Sequence, residues 1–509
     1  MITVRQLLFS AGISLLVACS NTRQSKTTDD QKIDINLIQI NDVYEIAPLN
    51  AGKEGGLARV GTLKKQYLQK NPNTLLLIAG DFLSPSVYNS LKYNGQNIRG
   101  AQMVDALNAA GLDIAIFGNH EFDIKENELQ SRINESRFEW ISANAFQNTK
   151  NGIKPFAKIT GIDTSWFPKY IIREFTDADG TKAKVGFIGV VLPFNKAPYV
   201  QYTTPANNIV KAIYNEIKNS CDAVVAITHQ TMEEDVALAK ELPQLAAILG
   251  GHEHDQRFEQ LGPVYVAKAM ANAKSAYVTE LHINKQTKKV SVKPVLEKID
   301  ERIALDKSVT EVVDKWISIA NDNFSKLGFD ANKVVIAKGE DLDGRESAIR
   351  SSYTNLGVLV AESAKAAWPE AQAAIVNSGS IRVDDVLSMP ITQYDIIRTM
   401  PYGGSVKLVD IKGDLLIKIL NQGVANKGEG GFLQLSKSIS RPDNIWLIDK
   451  VRIQDDAVYK VAITDFLLTG GEANLGYLLP TNPAITKVTE ATTPAQSDIR
   501  KAFIEFVTK

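Results

Sequence analysis

The chain has 509 residues, and its 57 lysines and arginines nearly balance 58 aspartates and glutamates. This length exceeds what one hydrophobic core usually supports, so two domains are expected. The balanced charge excludes a general electrostatic attraction to nucleic acid polymers or to an anionic membrane surface, so ligands have to be recognised at specific sites.

The first 19 residues predict an export signal. An apolar stretch at residues 7–18 is too short to span a bilayer, and it ends in the tetrapeptide LVAC at Cys19. This tetrapeptide resembles the lipobox of bacterial lipoproteins, which implies lipidation of Cys19, and Ser20 after it favours the outer membrane. An ordinary cleaved signal peptide is the alternative. Residues 20–32 contain no apolar residue and predict a flexible tether.

Residues 33–305 predict a layered α/β domain. Short, nearly continuous apolar runs alternate with longer helical patterns, and such runs are typical of strands covered on both faces of a sheet. A helical pattern at 100–111 ends at Gly111, a suitable C-terminal stop. The predicted strands are 33–40, 74–80, 113–118, 184–191, 222–229 and 245–251.

Polar residues gather where these apolar runs stop, and they include four of the five histidines of the chain. Strand ends in layered α/β sheets converge on one crevice, where ligands bind. Each residue alone could be an ordinary turn or cap residue, but imidazole, carboxylate and amide ligands together suit two metal ions. The candidates are Asp42, Tyr44, Asp81, Asn119, His120, Asp123, His229, His252 and His254.

Residues 308–326 have a helical pattern that Ser308 or Asp306 could cap, and the arrangement of predicted strands and helices changes after it. We therefore expect residues 306–329 to form a linker helix before a second domain at 330–509. This second domain mixes strand and helix signals and contains no histidine.

The motifs at the strand ends resemble the pattern of calcineurin-like metallophosphoesterases, which is DxH, GD, GNHE, H and GHxH. The longer GNHEFD, with stretches of the second domain, narrows the resemblance to the family of bacterial periplasmic 5'-nucleotidase and UDP-sugar hydrolase, related to animal ecto-5'-nucleotidase. The resemblance covers essentially the whole mature chain. It implies an N-terminal four-layer αββα sandwich and a C-terminal α/β substrate domain of the 5'-nucleotidase type.

The resemblance also implies two metal ions, with zinc, manganese and iron as candidates. His120 would stabilise the transition state or protonate the leaving group, and Asp123 would orient its imidazole. The implied ligands are Asp42 and His254 for one ion, Asn119, His229 and His252 for the other, and Asp81 as the bridge.

Tyr44 departs from the family pattern, because most relatives have the histidine of DxH there. A phenol with a pKa near 10 is a poor ligand for Zn²⁺ at neutral pH unless the metal deprotonates it. Three interpretations stay open: Tyr44 ligates a ferric-like ion, it lies beside a surviving dinuclear site without strong ligation, or one metal is lost and activity is weak.

Four stretches of the second domain resemble the family's nucleotide-binding motifs. An arginine can pair with phosphate or ribose oxygens through two donors, and two aromatic rings can sandwich a base. The resemblance implies rotation between open and closed domain arrangements around residues 308–335. The implied substrate-binding residues are Arg350, Asn377 and Arg382 of NSGSIR, Phe432, Phe466 and Glu472.

These motifs predict a monomeric, lipid-anchored metallophosphoesterase that releases phosphate from nucleoside 5'-monophosphates, with the lipid anchor as its only membrane contact. A 2',3'-cyclic nucleotide phosphodiesterase or a broad phosphomonoesterase is the enzymatic alternative. A nucleotide-binding lipoprotein whose metal site has decayed at Tyr44 is the alternative of another class.

Overall fold

A computed structural model describes residues 29–194 and 197–509. Cys19 and the predicted export signal lie outside the described residues, and most of the predicted tether does too. Among the helices of the described part, none is both long enough and apolar enough to cross a bilayer.

Two six-stranded sheets form the centre of the first domain. Parallel pairing dominates the middle of each sheet, and antiparallel strands lie toward the edges. In spatial order, the first sheet contains Lys289–Lys298, Ser275–Asn284, Lys32–Ile40, Thr74–Ala79, Ile114–Ile116 and Glu139–Ile141. The second contains Tyr170–Thr176, Lys182–Val191, Ala223–His229, Ala247–Gly250, Val264–Lys268 and Arg257–Leu261. All six predicted strands are present, with ends shifted by at most two residues at each terminus.

The two sheets pack face to face with helices outside them. Side chains such as Leu37, Ile116 and Val225 form one apolar core between the sheets. The helices over the first sheet are Leu57–Lys70, Ala101–Ala110, Glu126–Glu135 and Lys307–Lys326, and those over the second are Ala206–Ile217 and Met232–Glu241. This order of layers confirms the predicted αββα sandwich.

The helix Lys307–Lys326, predicted as a linker, packs as part of the first domain. Its N-cap is Asp306, whose side chain accepts hydrogen bonds from the backbone N–H groups of Ser308 and Val309. Trp316 is buried in the first domain's core, and its Nε1–H donates to Asp105 Oδ2 at 2.9 Å. The predicted linker helix thus contributes to the core of the first domain.

The second domain has three layers around a five-stranded sheet. In spatial order its strands are Leu433–Leu435, Ala373–Asn377, Val458–Thr464, Val406–Lys412 and Ile485–Thr489. The helices on one face are Asn355–Ala366, Gln393–Thr399 and Ile499–Thr508, and Gly413–Ala425 covers the other. This arrangement agrees with the predicted α/β substrate domain.

Short elements complete the described chain. The minor strands are Lys92–Tyr93, Gln96–Asn97, Ala145–Thr149, Gly152–Lys154, Ala157–Thr160, Asp163–Trp166, Val200–Tyr202, Val334–Ile336, Leu342–Asp343, Val386–Leu387, Ile391–Thr392, Ile439–Ser440, Leu447–Ile448 and Val451–Arg452. The short helices are Val87–Ser90, His120–Asp123, Glu346–Ile349, Ser378–Ser380, Pro442–Asn444, Asp465–Thr469 and Pro494–Ser497.

Candidate metal centre

The ends of five strands, three from the first sheet and two from the second, bring the candidate metal ligands together. Asp42 and Asp81 lie two residues beyond the strands Lys32–Ile40 and Thr74–Ala79, and His229 is the last residue of its own strand. Three of the side chains, Asp42, Asp81 and His229, offer ligand atoms within 4.8 Å of one another. All three are fully buried, so these charged and polar groups are shielded from bulk water and need other partners.

Asp81 lies between two sets of candidate ligands. Its Oδ2 is 3.1 Å from His229 Nε2 and 3.4 Å from the Tyr44 hydroxyl. On the His229 side, Asn119 Oδ1 is 3.1 Å from the same Nε2, and the His252 ring lies edge-on with a centroid distance of 5.4 Å. Asp81 is therefore placed where a carboxylate could bridge two cations.

The other set surrounds His254. Its Nε2 lies 2.9 Å from the Tyr44 hydroxyl and 3.6 Å from Asp42 Oδ1. Among the described residues, Asp42 Oδ1 is buried and has no hydrogen-bond partner. A buried carboxylate oxygen without a donor is costly, so this atom fits a cation.

Strained backbone marks the same residues. Asp42, Asp81, His252 and His254 all have positive φ, at 53°, 52°, 97° and 63°. Non-glycine residues seldom adopt this region, and such strain concentrates at functional sites. Four candidate ligands of one site thus share this backbone conformation.

Gly118 and Gly251 allow the loops to approach each other. A Cβ at Gly118 would lie 2.1 Å from Asp81 Oδ1, and one at Gly251 would lie 2.4 Å from the Ala79 carbonyl oxygen. No larger residue fits at these contacts without moving the backbone. The glycines of GNHE and GGHxH therefore have a steric role in closing the site.

Electrostatics distinguish the three histidines of the cluster. Burial lowers the pKa of His252 to about 3, which keeps its imidazole neutral. Burial also lowers the pKa of His229, but the Asp81 carboxylate outweighs it and raises the value to about 9. For His254, the hydrogen bond with Asp384 outweighs burial and raises the pKa to about 10. Cations binding here would displace the protons of His229 and His254.

Tyr44 lies among the ligands as a neutral phenol. Burial, followed by the Asp81 and Asp42 charges, raises its pKa well above 10. Its ring also packs edge-on against His254. The oxygen occupies a ligand position, but only a strongly acidic metal ion would remove its proton.

His120 and Asp123 form a pair beside the cluster, on the short helix His120–Asp123. The imidazole Nδ1 is 2.6 Å from Asp123 Oδ2, and the His120 backbone N–H donates to Asp81 Oδ1 at 2.7 Å. Burial lowers the pKa of His120, but the Asp81 and Asp123 carboxylates outweigh it and raise the pKa. The two carboxylates thus favour the protonated form of this imidazole, beside the candidate bridging carboxylate.

The predicted residues of the second domain form two groups. Asn377 Nδ2 donates to Glu472 Oε2 at 2.7 Å, and Glu472 lies beside the Gly431 that precedes Phe432. Phe432 is only 5% exposed and packs on Tyr353, whereas Phe466 is 46% exposed. Phe466 is therefore the ring with a free face, and Tyr353 is an aromatic neighbour that the motifs did not indicate.

Arg350 and Arg382 lie on the wall of the second domain that faces the metal centre. Arg350 lines an interdomain cleft with His252 and His254, and it pairs with Glu346 at 2.7 Å. Arg382 lines an adjoining cavity with Tyr44, His120 and His254. The cleft thus places two guanidinium groups opposite the candidate metal ligands.

Two family models match the chain in tandem. The calcineurin-like phosphoesterase model matches residues 35–256, and the 5'-nucleotidase, C-terminal domain model matches residues 335–475. The chain belongs to the calcineurin-like phosphoesterases that carry a 5'-nucleotidase C-terminal domain. The family implies divalent metal ions. The first domain, which contains the match at 35–256, is hereafter called the phosphoesterase domain, and the second, which contains the match at 335–475, the nucleotidase-type domain.

Relatives of this phosphoesterase span bacteria and animals. The trifunctional nucleotide phosphoesterase protein YfkN of Bacillus subtilis is 26% identical over 505 residues, covering 86% of this chain and 32% of its own length. This chain therefore spans about a third of that relative. Human 5'-nucleotidase is 25% identical, covering 82% of this chain and 78% of its own length.

The fold agrees with a solved structure. The 5'-nucleotidase precursor from Thermus thermophilus superposes with a TM-score of 0.66 at 21% identity, covering 94% of this chain and 96% of its own. At this identity the likeness shows the fold alone.

Glu121 of the phosphoesterase domain is a site residue that the strand-end prediction passed over. Its Oε2 accepts the backbone N–H groups of Asp81 and Gly118 at 2.8 and 2.6 Å, and its Oε1 accepts those of Phe82 and Leu83 at 2.7 and 2.9 Å. One fully buried carboxylate thus joins two ligand-bearing loops. The only sequence feature that could have indicated Glu121 as a site residue was its place in the GNHE motif.

Asn41 and Asp384 are two further contacts of the ligands. Asn41 Nδ2 donates to Asp42 Oδ2 at 2.7 Å, which fixes that carboxylate from its own loop. Asp384 of the nucleotidase-type domain is hydrogen-bonded to His254 Nδ1. No sequence pattern indicated the second contact, because it depends on how the domains dock.

Proposed function

We propose that this phosphoesterase hydrolyses nucleoside 5'-monophosphates to nucleoside and phosphate. The observation that supports this most directly is the lining of two adjoining cavities next to the buried Asp81 cluster. One is lined by Tyr44, His254 and Arg382, and the other by His252, His254 and Arg350. Phosphate oxygens match both the cations expected on one wall and the planar guanidinium groups on the other. The names of the nucleotidase relatives support this substrate class.

Two metal ions fit the donor set, because Asp81 stands between two groups of ligands and Asp42 has a buried oxygen without a donor. The proposed ligands are Asp42, Tyr44 and His254 for one ion, Asn119, His229 and His252 for the other, and Asp81 for both. When bound, such ions would supply charge that stabilises phosphoryl oxygens and lowers the pKa of water.

His120 is the proposed acid of the reaction. Its Nδ1 is held by Asp123, so the opposite ring nitrogen is left to donate to a phosphoryl or leaving-group oxygen. The raised pKa of His120 favours the protonated form that an acid needs. Arg382, which lines the same cavity, would hold a phosphate oxygen and orient the ester.

The nucleotidase-type domain would bind the nucleoside. Phe466 offers an exposed ring for stacking, and the hydrogen-bonded pair of Asn377 and Glu472 lies nearby with donors and acceptors for a base or ribose. Phe432 would form the floor of this site, since it is already packed on Tyr353.

A phosphate-release assay tests the function. Purified chain, supplied separately with Mn²⁺, Zn²⁺ or Fe, is expected to release phosphate from AMP faster than from p-nitrophenyl phosphate or 2',3'-cyclic AMP. Elemental analysis of the same sample identifies the metal. Release from neither nucleotide with any metal would contradict the proposal and favour a nucleotide-binding protein.

We also propose that the chain is an exported monomer, anchored in the outer membrane through a lipid on Cys19. The apolar stretch ending in LVAC supports this. Expression with radiolabelled palmitate tests it: label is expected in the parent and absent from Cys19→Ala. Equal labelling of both would contradict the anchor.

A further inference from the structure

A carboxylate of the nucleotidase-type domain reaches a candidate metal ligand of the phosphoesterase domain. The Nδ1–H of His254 donates to Asp384 Oδ2. On the other side of the ring, Nε2 faces the Tyr44 hydroxyl at 2.9 Å and Asp42 Oδ1 at 3.6 Å. The two ring nitrogens of His254 therefore have separate partners. The phosphoesterase domain supplies those of Nε2, and the nucleotidase-type domain supplies that of Nδ1.

The Asp384 side chain is itself held in place. Its Oδ1 accepts the backbone N–H of Glu346, so both carboxylate oxygens are engaged. Its backbone has φ of 38°, a left-handed conformation that a non-glycine residue keeps only where its surroundings impose it. The Asp384 and His254 side chains are each only 20% exposed, which limits competition from water.

The neighbouring Asp385 fastens the same loop to the phosphoesterase domain without touching His254. Its Oδ1 is 2.5 Å from Lys274 Nζ, and its Oδ2 is 2.9 Å from Arg398 Nη2. Lys274 belongs to the phosphoesterase domain, so this contact crosses the interface as well. Asp385 thus offers a matched control, an interdomain carboxylate one residue away.

We propose that Asp384 is a positioning residue that orients His254 for metal binding across the domain interface. A partner on the second ring nitrogen fixes the tautomer and raises the basicity of the ligating nitrogen, and its loss typically costs about 10- to 100-fold in metal affinity. The nucleotidase-type domain would then supply the group that orients a ligand held by the phosphoesterase domain. This inference rests on the proposed function only through the existence of the metal centre.

Metal affinity of the full chain tests the proposal. Mn²⁺ is titrated into metal-free parent, Asp384→Ala, Asp384→Asn and Asp385→Ala, and free Mn²⁺ is followed by electron paramagnetic resonance. Asp384→Ala is expected to weaken the ligated site about 10- to 100-fold. Asp384→Asn should be intermediate, because it keeps one acceptor oxygen, and Asp385→Ala should stay near the parent.

A double-mutant cycle shows whether the effect passes through the imidazole. Asp384→Ala added to His254→Ala is expected to change Mn²⁺ affinity no further. Equal affinity in Asp384→Ala and the parent, equal losses in Asp384→Ala and Asp385→Ala, or additive losses in the cycle would each overturn the proposal. Because these are binding measurements, a parent protein that binds Mn²⁺ but does not hydrolyse AMP would contradict only the proposed nucleotidase function.

Discussion

Asp81 contacts both sets of candidate metal ligands and the proposed acid. Its Oδ2 faces both His229 and Tyr44, and its Oδ1 accepts the backbone N–H of His120. One residue thus connects both candidate metal positions to the proposed acid. The consequences of removing Asp81 and His120 should therefore differ.

Substitution separates the two roles. Asp81→Ala is expected to lower bound metal and kcat together, since both metal positions lose a ligand. His120→Ala should lower kcat by about 10²- to 10⁴-fold while metal content stays at the parent level. Elemental analysis of the samples used for AMP kinetics checks both, and equal kcat in His120→Ala and the parent would remove the assigned role.

Tyr44 is a position where this chain departs from the family motif, and restoring the motif is informative. Tyr44→His replaces a phenol of very high pKa with an imidazole that binds Zn²⁺ well at neutral pH. We expect Zn²⁺ affinity to rise by about tenfold, or about 1.4 kcal/mol. Tyr44→Phe, which keeps the ring without a donor atom, is the control. No gain in Tyr44→His over Tyr44→Phe would argue that position 44 does not contact the metal.

At the scale of elements, the centre is built from turns that follow strands. Its ligands sit on loops whose strands are buried and rigid, so precision depends on how closely neighbouring turns approach. Gly118 is the tightest such contact, because a Cβ would lie 2.1 Å from Asp81 Oδ1 and 2.5 Å from its backbone nitrogen.

Gly118→Ala tests this closeness. Overpacking at a backbone contact is expected to destabilise the fold by about 1 to 3 kcal/mol and to displace Asp81, with loss of bound metal. Urea unfolding and elemental analysis measure the two effects. Gly476→Ala is the control, since its nearest neighbour would be 3.8 Å away. If both variants kept parental metal content, the packing explanation would be wrong.

The buried strands could be predicted well from the sequence, because a strand buried on both faces has a continuous run of apolar residues. The strands Thr74–Ala79 and Ala223–His229 are buried throughout, and both were predicted within one residue at each end. The hairpin strands Ala157–Thr160 and Asp163–Trp166 were not predicted, because they are short and largely exposed. Patterns of hydrophobicity carry little information about such strands.

Site residues could likewise be predicted where they lie next to a recognisable strand. Asp42, Asp81 and His229 could be predicted because each lies at the end of a recognisable strand or two residues beyond it. Asp384 could not, because its contact with His254 joins positions 130 residues apart in different domains. Phe432 and Phe466 had identical motif support, and only the fold shows that one is buried and the other exposed.

At the scale of the whole molecule, the proposed function divides the substrate between the two domains. Phosphate would be held where Arg382 faces the metal centre, and the base would be held at Phe466. A substrate without a nucleoside can use the first contact but not the second. Loss of the aromatic platform should therefore depend on the substrate.

Phe466→Ala makes this division measurable. Because the ring is 46% exposed, its removal should leave the core intact, and the lost stacking is worth about 1 to 3 kcal/mol. KM for AMP is expected to rise about 5- to 150-fold at this energy, whereas KM for p-nitrophenyl phosphate should hold constant. An identical shift for both substrates would take Phe466 out of the base site.

The central claim is that separated strand ends jointly hold a pair of cations at the domain junction. Anomalous diffraction from a crystal of the full chain soaked in Mn²⁺ tests it most directly. Two peaks about 3.5 to 4 Å apart are predicted, flanking Asp81, with His229 and Asp42 on opposite sides. A map without anomalous density at Asp81 under saturating Mn²⁺ would contradict the account.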